Sequence, residues 1–103
     1  MRRLHLPNRR PHELHEFEFR GLRYSAGIGR HENGALAEIF LDCVKAQSQS
    51  AADARDAAVC LSIALQHGVP PETIRSAVAR DSGGEPSGIV GAVLDLIAEG
   101  PRS

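Results

Sequence analysis

Glu16-Phe17-Glu18-Phe19-Arg20-Gly21-Leu22-Arg23-Tyr24 alternates polar and apolar residues on both sides of a two-residue break. Period-two alternation marks a strand with one buried face, and Arg20-Gly21 suits a tight hairpin turn. Such a turn pairs residue 19 with 22, 17 with 24 and 15 with 26, and paired residues share a face. Phe19 with Leu22 and Phe17 with Tyr24 then fall together on the core side, while Glu16 and Glu18 face away. The two arms agree on one register, which argues for an antiparallel hairpin independently of strand propensity.

Outward from the hairpin, the alternation begins at His12 and continues through Ala26 and Ile28 to Arg30. His31-Glu32-Asn33-Gly34 reads as a second turn, with Asn-Gly its strongest signal, and Ala35 to Cys43 as a third strand. There the alternation assigns Leu36 and Phe40 to one face and Ala37, Ile39 and Leu41 to the other, so both faces are partly apolar. An edge strand of that kind invites pairing unless it is covered. Either the chain's own helices wrap this strand or a partner subunit covers it; on the second reading Leu36, Ile39, Phe40 and Leu41 are the oligomer surface of a homodimer.

Beyond the strands the period changes. The stretch from Ala51 to Ile74 opens as a helix, with Ser50 expected at its N-cap, Gly68 at its left-handed end and Pro70 barring continuation. From Ala57 to Leu65 the apolar residues run nearly all round, which predicts a central helix covered on most sides, with Cys60 buried. Pro70-Pro71-Glu72 opens a second helix to Arg80. Asp81 to Ser87 is a loop, and Ser87 is expected to cap a third helix over Gly88 to Glu99 with an Ile89, Val93, Leu96 and Ile97 stripe. Strands followed by helices specify an α+β fold: a three-stranded antiparallel β-meander, then three helices packed on one face. The domain spans residues 12–99, preceded by a basic arm over residues 1–11.

The chain has 103 residues, 42% of them hydrophobic, and a net charge of −1, so no global field draws it to nucleic acid or to a membrane surface. Arg2, Arg3, Arg9 and Arg10 make the first ten residues basic, against an acidic remainder. Nearly all the basic residues are Arg, a composition that a GC-rich genome explains as well as a ligand does. No apolar run reaches membrane-spanning length, and two cysteines do not make a disulfide framework. Cys43 and Cys60 are read as free thiols, with the cytoplasm as the expected location.

Most chemical motifs fail on spacing. His12-Glu13-Leu14-His15-Glu16 offers histidines three apart in a strand, whereas a zinc helix needs them four apart. Cys43, Cys60, His31 and His67 include no Cys-x-x-Cys pair, and no metal is expected. Gly27-Ile28-Gly29 precedes a hairpin rather than a helix N-terminus, so a close backbone approach or a bulge explains it better than a phosphate loop. No serine sits in a nucleophile motif, and Asp53 and Asp56 read as a solvated or Arg-paired helix face. No catalytic residue and no cofactor is assigned. The better anion candidate is the helix start at Ser87 and Gly88 beside Gly83 and Gly84. The basic arm has no interleaved aromatic platform, so nucleic acid is disfavoured as a partner. A small nucleotide- or nucleic-acid-binding module using the arm and a helix N-terminus is the alternative reading.

Three segments carry a family resemblance. Arg20-Gly21-Leu22-Arg23-Tyr24, Gly34-Ala35-Leu36-Ala37-Glu38-Ile39-Phe40-Leu41 and Leu61-Ser62-Ile63-Ala64-Leu65-Gln66-His67-Gly68-Val69-Pro70-Pro71-Glu72-Thr73-Ile74 resemble, in turn, the first hairpin, a strand, and the long helix with its following turn in the TSCPD domain family. That domain is a C-terminal module of adenosylcobalamin-dependent ribonucleotide reductases (ribonucleoside-diphosphate reductases) and also occurs as short stand-alone bacterial proteins. The resemblance runs from about Phe17 to Ile97. The chain departs from it where the family has Thr-Ser-Cys-Pro-Asp: here Pro86-Ser87-Gly88-Ile89-Val90 stands, with Gly88 at the cysteine position. No thiol or metal role carries over, and the barrel, radical-site cysteines and cobalamin site of a reductase are missing. The resemblance implies a non-enzymatic accessory or interaction domain linked to deoxyribonucleotide synthesis. It would have a ribonucleotide reductase or another protein as partner, and Gly83, Gly84, Ser87 and Gly88 as its contact site.

Overall fold

A computed structural model describes residues 12–99. The basic arm of Arg2, Arg3, Arg9 and Arg10 lies outside the described residues. Three strands, β1 (His12–Phe19), β2 (Leu22–Arg30) and β3 (Leu36–Cys43), precede three helices, α1 (Gln49–Gln66), α2 (Pro71–Ala77) and α3 (Ile89–Glu99). The sheet is antiparallel in the order β1-β2-β3. The fold is α+β, as the alternating and helical periods require.

The hairpin has the expected register: Phe19 pairs with Leu22, Phe17 with Tyr24 and His15 with Ala26. Arg20 and Gly21 both take positive φ, 49° and 78°, which matches the right-handed twist of the flanking strands. Phe17 stacks on Tyr24 at 5.5 Å between ring centroids, the cross-strand contact that fixes this register.

The second pairing brings a correction. The register shifts between Gly29 and Arg30: Gly29 pairs with Glu38 but Arg30 with Leu36, leaving Ala37 as an extra residue. This bulge reverses the facing of everything before it. Leu36 therefore packs against the core with Ile39 and Leu41, and does not share a face with Phe40. The glycines of Gly27-Ile28-Gly29 thus adjoin a bulge.

The core is built from Tyr24 and Ala26 of β2, Ile39, Leu41 and Cys43 of β3, Ala51, Ala54, Ala58, Leu61 and Leu65 of α1, and Val93 and Leu94 of α3. The alanines let α1 lie close along β3. Its N-cap is Ser48, not Ser50: the Ser48 hydroxyl accepts from Ala51 N–H at 3.1 Å, and Ser50 already lies inside the helix. Burial raises the Tyr24 pKa. At the other end Gly68, at φ 88°, closes a Schellman motif, with Val69 N–H donating to Ala64 C=O and Gly68 N–H to Leu65 C=O.

Helix α1 is not covered on most sides. It packs on β3 and α3 and leaves Val59, Cys60 and Ile63 facing out, with Cys60 exposed rather than buried. One sheet and one helix cannot surround it, and α2 ends at Ala77, before the expected Arg80, packed on α3.

Asp95 ties these last helices together. It accepts from Arg75 Nε at 2.8 Å and from Arg80 Nη2 at 2.6 Å and Nη1 at 2.9 Å. Hydrogen bonding from Arg80 first, then Arg75, holds the Asp95 carboxyl well below its ordinary value of 3.8. A depressed folded-state pKa adds stability that is fully present above the unfolded value and is lost as pH falls through the folded one. Asp95→Asn is therefore expected to cost about 1–2 kcal/mol at pH 7, discounted for the partly exposed partners. In acid titrations followed by circular dichroism, the wild-type advantage over this variant should begin to shrink as pH falls below 3.8 and go on shrinking well below it.

Candidate functional site: the groove between β3 and α1

The free edge of β3 is treated differently along its length. An edge strand turns alternate N–H and C=O groups outward. At Ile39, the Ser62 hydroxyl takes both: it accepts from Ile39 N–H at 2.9 Å and donates to Ile39 C=O at 3.0 Å. At Ala37, Gln66 Nε2 donates to the carbonyl at 3.3 Å. Both side chains come from the α1 face that lies along the strand, and both are buried. Two residues further on, the alternation turns Leu41 N–H and C=O outward as well. One turn back along α1 stands Ala58, which has no polar atom to offer. No described group bonds to these Leu41 atoms outside the sheet.

A groove of about 340 Å³ opens at this place, lined among others by Phe40, Leu41, Asp42, Arg55, Ala58 and Val59. Its rim is apolar and exposed: Phe40 is 49% and Val59 57% accessible, and Ile63, one turn along α1, is 39%. Asp42 and Arg55 supply one charge of each sign, both exposed, and neither forms an ion pair among the described residues. Of the four residues expected to form an oligomer surface, only Phe40 is exposed. Ile39 and Leu41 are buried in the chain's own core, and Leu36 packs against it. Sequence reasoning missed Val59 and Ile63 by assigning them to a buried helix. Their signal was that α1 carries more apolar circumference than its neighbours can cover.

The loop candidate has a different character. Asp81 Oδ1 accepts from Gly83 N–H at 2.8 Å and Glu85 N–H at 3.0 Å, so a carboxylate already occupies the position an anion would take. Ser87 N–H donates to Ala79 C=O, and Arg80 donates to Gly84 C=O at 3.0 Å. Gly83, Gly84 and Gly88 are exposed and Ser87 half-buried, on a turn braced by its own bonds.

At the far end of the sheet, Glu13 accepts from Arg30 Nε at 2.7 Å and lies 3.2 Å from His15 Nε2. The Arg30 hydrogen bond, then that of His15, lowers the Glu13 pKa, and the ion pair ties β1 to β2. Among the described residues no three His, Cys, Asp or Glu side chains come together as a metal site. None of the described helices is long and apolar enough to cross a membrane. No known protein family, no curated protein and no solved structure matches the chain.

Proposed function

We propose that this chain is a non-enzymatic protein-interaction domain with the β3–α1 groove as its contact surface. The observation that carries this reading is the exposed Phe40–Val59–Ile63 rim around a segment of strand edge that no other described residue bonds. Large exposed apolar side chains grouped beside a strand edge are what a docking surface requires, and single scattered ones are not. The resemblance to the TSCPD domain extends the proposal to an accessory role beside a ribonucleotide reductase in deoxyribonucleotide synthesis.

The test is affinity capture from a lysate of the native host after nuclease treatment, comparing wild type with Val59→Asp. Val59 is 57% accessible, so the substitution should leave the fold intact. A charge in the docking surface should reduce the captured protein at least about tenfold, since a desolvated unpaired charge costs more than 1.4 kcal/mol. A ribonucleotide reductase in the wild-type capture supports the wider role. Equal capture by both proteins removes the groove as the contact surface, and capture abolished by nuclease moves the function to nucleic acid.

A further inference from the structure

We infer that the groove's occupant is a second copy of this chain, docked about a two-fold axis. This rests on the groove being a contact surface and adds what fills it. The ground is self-complementarity. A two-fold interface sets the same patch against itself, so each attractive contact occurs twice and each like-charge contact is also doubled. The charged side chains lining the groove are Glu38, Asp42 and Arg55; Glu38 is buried and already engaged, which leaves one exposed acid, Asp42 from β3, and one exposed base, Arg55 from α1. Both are exposed, yet they form no ion pair with each other or with any other described residue. A two-fold operation through the groove sets Asp42 of each copy against Arg55 of the other, satisfying both charges in both copies. The same operation brings the two exposed rims of Phe40, Val59 and Ile63 together, and apolar side chains are what the centre of such an interface needs. A purely basic or purely acidic partner would satisfy only one of the two exposed groove charges.

The edge also limits how the copies meet. Ser62 and Gln66 already occupy the outward groups of Ile39 and Ala37, so a partner strand cannot run along the whole of β3. The contact is made by side chains around the open position at Leu41, not by a sheet continued through the dimer.

The test uses the purified chain and two charge reversals, Asp42→Arg and Arg55→Asp. Wild type in sedimentation equilibrium should approach twice the 11.1 kDa mass of one chain as concentration rises. Each single reversal creates two like-charge contacts across the axis and should raise the dissociation constant at least about tenfold. An equimolar mixture of the two single variants should recover the wild-type mass, because every Asp–Arg contact is restored between unlike copies. The double variant should recover it alone. Circular dichroism of each variant confirms folding, and both sites are exposed, so the fold should survive. Wild type that stays monomeric to millimolar concentration overturns the dimer, as does a mixture that fails to associate more tightly than its components. Neither result touches the wider interaction reading, which the Val59→Asp capture decides separately.

Discussion

Ser62→Ala is expected to lower stability by about 2–3 kcal/mol, although alanine is the better helix former by a few tenths. One hydroxyl serves two backbone groups, accepting from Ile39 N–H and donating to Ile39 C=O. Its removal strands a donor and an acceptor beside a side chain only 1% exposed. Each stranded group costs about 1–3 kcal/mol when dry, and water entering from the adjacent groove recovers part of that. In urea unfolding the midpoint should fall with the slope unchanged. Thermal unfolding should drop by roughly 10–20 °C for a domain of this size. Hydrogen exchange at the Ile39 amide should accelerate relative to core amides of β2, which places the defect at the edge. Ser62→Thr keeps the hydroxyl and should retain most of the stability. Ser76 is the control: its hydroxyl bonds only to Glu72 and Thr73 carbonyls on its own exposed helix. Ser76→Ala should stay within about 0.5 kcal/mol of wild type. A Ser62→Ala protein as stable as Ser76→Ala would mean that α1 does not close the β3 edge through this hydroxyl.

The same hydroxyl shows where reading the sequence stops. Alternation and turn chemistry predict the hairpin register down to the Phe17–Tyr24 pair, because the period of a strand is a local property. Gly68 and Pro70 mark the end of α1 for the same reason: a positive φ and a missing N–H are set by the residue itself. Side-chain hydrogen bonds between distant elements are not local. Ser62 and Ile39 are 23 positions apart, and nothing in either residue type announces that a helix hydroxyl will seal a strand edge. The bulge at Ala37 is hinted at only by the glycines of the strand opposite; nothing in β3 itself places the extra residue, which turns Leu36 inward. Cys60, Val59 and Ile63 fail for a different reason. A run of apolar residues around a helix says that the helix prefers cover, but whether cover exists depends on how many neighbours the fold can supply. Here the shortfall is the candidate site itself, so the misread segment of α1 and the proposed contact surface coincide.

Gly91 of α3 leaves little room for a side chain, and a branched one there should cost stability. A glycine inside a helix costs about 1 kcal/mol relative to alanine, so replacing one ordinarily helps. Here a β-carbon would lie 2.9 Å from Pro86 Cβ and 3.4 Å from Val78 Cγ2. Both neighbours belong to the segment that crosses α3, and neither is the free end of a flexible side chain. Pro86 is a stiff ring bridged to Arg80, and the turn that carries it is held by Asp81, by Ser87 N–H on Ala79 C=O and by Arg80 on Asp95. Withdrawing Pro86 to make room would break those bonds. Overpacking of this kind costs about 1–3 kcal/mol for one or two carbons, so Gly91→Ala should come out near zero or slightly destabilising after the gain in helix propensity. Gly91→Val adds two more carbons, branched where the helix is most crowded, and should cost about 3 kcal/mol. Urea unfolding of both variants, with Ala92→Gly measured for the local helix propensity, separates crowding from backbone effects. Combining Gly91→Val with Pro86→Ala should recover part of the loss, because the two side chains compete for the same space. Stabilisation of a full kcal/mol by Gly91→Ala would show that the braced turn yields, and that the packing of α3 against it is softer than its bonds imply.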